Sequence, residues 1–145
     1  MSNLGKGMIA GFAATVVLSV LMVLKQMTGL MPELNPIGML TSMAGASSPI
    51  VGRIMHFIIG SVLWGGLFAL VAPNLPGGHI GGGMIFATGA WVLMMIAVMP
   101  MAGAGLFGLG IGMAAPVMAL MLHLVFGAVL GWVYDLQLQR RPAPA

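Results

Sequence analysis

The sequence contains no cysteine and very few charged side chains. The absence of cysteine excludes disulfide bonds, thiolate metal ligands and a cysteine nucleophile. Only two acidic and five basic residues occur among 145, whereas roughly a quarter of the residues of a soluble domain are charged. So few charges cannot cover the surface of a water-soluble globular protein. The composition therefore predicts a membrane protein.

The scarcity of acidic residues also limits the classes of function. Asp135 follows His123 by twelve residues, or ~18 Å along a helix, which does not suit a Ser-His-Asp relay. No predicted span contains the buried carboxylate that a proton-coupled transporter normally uses. No basic patch with interleaved aromatic residues is present, so nucleic acid is not expected as a partner. We expect a protein that is not an enzyme.

The chain consists mainly of long apolar runs. Hydrophobic residues make up 60% of it, and the mean hydropathy is +1.11. A helix needs about 20 apolar residues to cross a bilayer, so the length allows four spans in a single domain, residues 1–145. The predicted spans are 7–28, 49–71, 80–99 and 116–135, followed by a polar tail at 136–145. Residues 37–44, in the first connection, are apolar enough to lie in the membrane interface or to re-enter the membrane briefly.

Two of the predicted helices share a proline, a histidine seven residues later and a glycine four residues after the histidine. The first copy is Pro49, His56 and Gly60, and the second is Pro116, His123 and Gly127. The 67-residue offset predicts a duplicated helical hairpin, with repeats at about 7–72 and 80–135. Because each hairpin returns the chain to its starting side, the repeats must be parallel rather than inverted. The expected fold is an all-α membrane protein of two parallel hairpins.

His56 and His123 both lie seven residues after a helix-starting proline, which places them about 10 Å below the same membrane surface. The two imidazoles could therefore face each other between the second and fourth spans. In one interpretation the small residues around them, including Gly60 and Gly127, pack these two helices closely, with each histidine bonded to a backbone carbonyl or threonine. In another, the glycines admit haem b and the histidines are its axial ligands. A quinone or a metal ion between the imidazoles is a third possibility.

Other residues suggest weaker sites. Glu33 and Arg53 are the candidate ion pair at the outer interface, although Arg53 alone could extend to the headgroups. His79 lies in a turn and is expected to be solvated. Thioethers are ligands for Cu(I), but methionine also serves as flexible apolar filler. The methionines near the side opposite the termini are Met27, Met31, Met39, Met43, Met55, Met99, Met101 and Met113.

The segments His56-Phe57-x2-Gly60 and His123 to Asp135 resemble small four-helix bacterial inner-membrane proteins of unknown function, among them the YagU-like group. The resemblance implies the bacterial inner membrane and no known enzymatic activity, and it supplies no substrate or cofactor.

Basic residues near the predicted span ends favour cytoplasmic termini. The leading functional expectation is an accessory or structural subunit of a larger membrane complex, or a homo-oligomer, associating through its Gly/Ala/His helix faces.

Overall fold

The computed structural model describes residues 2–139 and contains five main helices. They are α1 (Asn3–Met27), α2 (Pro36–Met43), α3 (Pro49–Asn74), α4 (Gly78–Met101) and α5 (Ala115–Gln139). No strand occurs within these residues, and α1, α3, α4 and α5 are each long and apolar enough to cross a membrane. The predicted all-α fold with four membrane spans is confirmed. The helical part of the chain extends to Gln139, and the remainder of the predicted tail lies outside the described residues.

Prolines and capping side chains explain where two of the helices begin. The side-chain oxygen of Asn35 accepts the backbone N–H of Gly38 at 3.0 Å, and Pro36 occupies the first turn of α2. Ser48 and Pro49 play the same parts at the start of α3. Proline is tolerated there because the first N–H groups of a helix have no intrahelical partner. The apolar segment predicted at 37–44 thus forms the short helix α2.

Helices α1 and α3 pack closely through glycine. A Cβ atom on Gly7 would overlap the carbonyl of Gly65, and a Cβ on Gly65 would overlap the carbonyl of Gly7. Further along the same interface, a Cβ on Gly60 would overlap the Thr15 hydroxyl. Small residues let two helical backbones approach in this way, and close packing is the main attraction between helices in lipid.

The second hairpin uses glycine in the same manner. A Cβ on Gly127 would overlap the carbonyl of Gly83, and one on Gly131 would overlap the carbonyl of His79. The prediction that α3 and α5 meet through their glycine faces is therefore wrong. Gly60 and Gly65 of α3 pack on α1, and Gly127 and Gly131 of α5 pack on α4, because α1 and α4 also present small residues.

The two hairpins join unevenly. Helix α1 packs extensively on α5, whereas no comparable interface joins α3 to α4 or to α5 in the described chain. Near the termini, Trp64 and Phe68 of α3 contact Phe86 of α4, with ring centroids 5.7 and 5.5 Å apart. Towards the opposite side the α3–α4 boundary is open. The internal repeat stays a prediction, and the uneven contact between the hairpins is a finding of the tertiary structure.

Helix α2 lies over the beginning of α3. A Cβ on Gly52 would overlap the carbonyl of Ile37 and the hydroxyl of Thr41. The preceding turn is held by Lys25, which is 6% exposed and whose ammonium group donates to the carbonyls of Leu30 and Met31 at 3.2 and 2.7 Å. The end of α1, the turn and α2 therefore form a continuous cover on the side opposite the termini.

The predicted ion pair between Glu33 and Arg53 is not formed. Within residues 2–139, the pair that His79 makes with Asp135 is the only one closer than 4.0 Å. Arg53 is exposed on α3, whereas Glu33 borders a pocket between α2 and the end of α4. The two side chains therefore belong to different surfaces.

Candidate functional site

A cavity of about 330 Å³ lies in the half of the helix bundle opposite the termini. All five helices contribute to its wall. Its lining residues are Thr15, Leu18 and Met22 of α1, Leu34, Pro36, Met39 and Leu40 of the cover, His56, Ile59, Gly60, Leu63 and Trp64 of α3, Ala90, Leu93, Met94 and Val98 of α4, and Ala119, Leu122, His123 and Phe126 of α5. Apart from one threonine, one indole and two imidazoles, the side chains are apolar. The structure thus brings His56 and His123 to one apolar chamber.

His123 is oriented by its own helix. Its Nδ1 lies 2.8 Å from the carbonyl oxygen of Ala119, one turn earlier. A carbonyl can only accept a hydrogen bond, so Nδ1 carries the hydrogen. In the neutral ring, Nε2 is then left as a hydrogen-bond acceptor. The backbone partner expected in the packing interpretation is therefore present for His123.

His56 has no such partner. Its Nε2 is buried without a hydrogen bond from any described residue, a property shared only with the Ser61 hydroxyl. The Thr15 hydroxyl, which also lines the cavity, already donates to the carbonyl of Gly11 at 2.7 Å. A buried polar atom left without a partner costs roughly 1–3 kcal/mol. Such an atom in a native fold calls for a reason, such as a ligand that it binds.

Two irregular helical segments border the cavity. Residues Ile59–Gly65 of α3 and Met94–Val98 of α4 are π-helical, and both segments contribute lining side chains. Single π-helical turns inside α-helices occur frequently at functional sites. Leu63 and Leu93, one from each of these helices, line the cavity and are about half exposed on the outer surface. The cavity therefore reaches the lipid-facing surface at the α3–α4 boundary.

Comparison with known proteins places the chain in a family. Residues 1–144 match DUF6789, a family of unknown function. The chain belongs to the DUF6789 family. No curated protein and no solved structure matches it. The expected membership in a family of unknown function agrees with this assignment, whereas the resemblance to the YagU-like group and the bacterial origin stay predictions.

The two glycines proposed to admit a cofactor are placed differently in this DUF6789 protein. Gly60 lines the cavity, but its Cα packs against Thr15. Gly127 is absent from the cavity wall and packs against Gly83 and Ala87. A porphyrin could therefore not approach both helices along their glycine faces. This removes the glycine argument for haem b.

At the opposite end, His79 and Asp135 form a pair that the sequence interpretation missed. His79 Nδ1 lies 2.7 Å from the Asp135 carboxylate, whose second oxygen accepts from Gln139. The His79 ring also packs edge-on against Tyr134, with centroids 5.4 Å apart. His79 was expected to be solvated, and no local signal connects it with a residue 56 positions away. The pair ties the start of α4 to the end of α5.

Proposed function

We propose that this DUF6789 protein is a non-enzymatic membrane protein that binds a lipophilic small molecule of the quinone class between His56 and His123. The observation that supports the proposal most concerns His56, which lines the apolar chamber and whose buried Nε2 lacks a protein partner. A quinone carbonyl accepts a hydrogen bond from a neutral imidazole N–H, and a quinol hydroxyl donates to an unprotonated imidazole nitrogen. His56 is free to adopt the donor tautomer, while His123 Nε2 is left as an acceptor.

The size and lining of the cavity favour an organic ligand over a bare metal ion at this position. A volume of about 330 Å³ falls in the range of about 300–1,000 Å³ of small-molecule sites, which are mostly apolar with a few polar groups. A metal ion held at ~2 Å from two imidazoles would fill little of that space. Within residues 2–139, no group of three or more His, Cys, Asp or Glu side chains is arranged to hold a metal.

The lateral opening suits a ligand that is dissolved in the bilayer. Leu63 and Leu93 border both the cavity and the outer surface. A quinone head group could enter between α3 and α4 while its apolar tail stays among the lipid chains. An aqueous solute would instead have to pass the cover formed by α2.

Assembly into a larger membrane complex, or into a homo-oligomer, stays a prediction. That expectation depended on small-residue helix faces. These faces pack against one another within the chain, between α1 and α3 and between α4 and α5. Any partner would therefore contact other surfaces. Such a role is compatible with quinone binding, since the cavity lies within one chain.

The test measures binding of a short-chain quinone to the purified protein in nanodiscs. Binding is monitored by the quenching of tryptophan fluorescence. Trp64 lines the cavity, so bound quinone should quench it. His56→Ala should weaken binding of the quinone and of its quinol about tenfold, which corresponds to about 1.4 kcal/mol for one lost hydrogen bond. His123→Ala should weaken binding of the quinol alone, because an acceptor Nε2 can receive a quinol O–H but cannot bond to a quinone carbonyl. His79→Ala, outside the cavity, is the matched control. Equal quenching in all four proteins would refute the proposal, and a Soret band in the visible spectrum would favour haem instead.

A further inference from the structure

A second pocket, of about 370 Å³, opens on the side opposite the termini, between α2 and the end of α4. Three methionines line it, Met39, Met43 and Met101, together with the carboxylate of Glu33. The other side chains in its wall include Asn35 and Ser42. Only two acidic residues occur in the whole sequence, and one of them lies beside these three thioethers.

The helix geometry allows the thioethers to converge. Met39 and Met43 are four residues apart on α2, so they lie on one face with their Cβ atoms about 5–6 Å apart. Met101 ends α4 on the other side of the pocket. Methionine has three rotatable side-chain bonds, so small rotations can direct the three sulfur atoms to one point.

The exposure of two of the three methionines argues against a filling role, whereas Met39 is half-buried and packs against the apolar cluster. Met95 and Met99 are fully buried in an apolar cluster, as expected for methionine that fills gaps in a core. By contrast, Met43 is 39% and Met101 is 72% exposed. Lipid contact alone does not account for them either, since the same pocket is lined by Glu33 and other polar side chains.

The polar side chains of the pocket are not equally available. The Asn35 side-chain oxygen already accepts the Gly38 N–H at 3.0 Å. The Glu33 carboxylate has no ion-pair partner within 4.0 Å among residues 2–139. The nearby ammonium group of Lys25 is engaged by two backbone carbonyls. Glu33 therefore makes no ion-pair contact among the described residues, and its carboxylate can lie against a cation in the pocket.

From this arrangement we infer that the outer pocket is a Cu(I) site. The thioethers of Met39, Met43 and Met101 are its ligands, and Glu33 supplies the counter-charge. Soft thioether ligands select Cu(I) over harder divalent cations, which prefer oxygen or imidazole. The site does not depend on quinone binding, although Met39 borders both the outer pocket and the histidine cavity.

The test is anaerobic titration of the purified protein with Cu(I) against a chromogenic competing chelator. One equivalent should bind per chain, and the triple variant Met39→Leu, Met43→Leu, Met101→Leu should lose at least tenfold in affinity. Leucine keeps a similar volume, so the fold should survive. Met27→Leu and Met113→Leu are matched controls, since both side chains are exposed outside this pocket. Undiminished binding by the triple variant, or an equal loss in the controls, would overturn the inference.

Two further measurements separate this site from the histidine cavity and from folding defects. The double variant His56→Ala, His123→Ala should keep full Cu(I) affinity even where it no longer binds quinone. In wild-type protein with labelled methionine methyl groups, the redox-inert probe Ag(I) should shift the signals of Met39, Met43 and Met101 and leave that of Met113 unchanged. Shifts in the methyl signals of all exposed methionines would indicate nonspecific thioether binding and would contradict the inference.

Discussion

Replacing His56 by phenylalanine should stabilise the ligand-free protein while weakening its quinone binding. The buried Nε2 has no hydrogen-bond partner among the described residues. Removing a buried polar atom without a partner raises the free energy of unfolding by roughly 1–3 kcal/mol. Phenylalanine keeps the edge-on contact with Phe57, whose ring centroid is 6.1 Å from that of His56. That contact is worth about 0.5–1.5 kcal/mol and would be lost with an aliphatic residue. We therefore expect the free energy of unfolding to rise by about 1 kcal/mol or more, because the unpartnered nitrogen is no longer present.

The corresponding change at His123 provides the control. His123→Phe removes the hydrogen bond from Nδ1 to the Ala119 carbonyl, so the free energy of unfolding should fall by about 0.5–1.5 kcal/mol. The assay is reversible unfolding in detergent without ligand, together with titration of the folded variants with the quinone and with its quinol. If the unpartnered His56 nitrogen serves ligand binding, the two variants change stability in opposite directions. Quinone binding should then be weaker in His56→Phe alone, and quinol binding weaker in both variants. Should His56→Phe lower the unfolding free energy by more than 1 kcal/mol, His56 would be a structural residue and the reasoning would be wrong.

Three further outcomes are expected. Gly127→Ala places a Cβ atom against an α4 carbonyl and should lower the free energy of unfolding by about 1–3 kcal/mol. The control Gly89→Ala, where a Cβ atom would have no neighbour within 4 Å, should change it little. Asp135→Asn breaks the partly exposed pair with His79 and should cost less than about 1 kcal/mol in the same unfolding assay. Leu93→Trp at the lipid-facing border of the cavity should slow quinone association in stopped-flow quenching more than it weakens equilibrium affinity; unchanged association would place the entrance elsewhere.

Part of the candidate site could be predicted from residue spacing. His56 and His123 follow equivalent prolines by seven residues, and depth in a helical span depends only on the rise per residue. The direction in which each ring points could not be derived this way. It depends on the π-helical segment after His56 and on which neighbouring helix accepts each glycine face. The hydrogen bond of His123 and the unpartnered nitrogen of His56 are visible only in the folded chain.

The methionines illustrate the same limit. Eight of them could be assigned to the side opposite the termini by counting along the helices. Only the fold of the first connection into α2 brings Met39 and Met43 beside Met101. Met99, two residues before Met101, is instead buried in the apolar cluster. Position along the membrane normal was thus predictable, whereas the grouping of the thioethers was not.

The sequence by itself determined that this is a four-span helical membrane protein, because span length and hydropathy are local properties of each segment. Only the tertiary structure decided that α1 packs on α3, that α4 packs on α5, and that the α3–α4 side stays open. Apolar helices are not sorted by the hydrophobic effect in lipid, so their partners are chosen by close packing between residues distant in sequence. The histidine cavity forms because the glycines that pack within each hairpin are not available to bring α3 and α5 together.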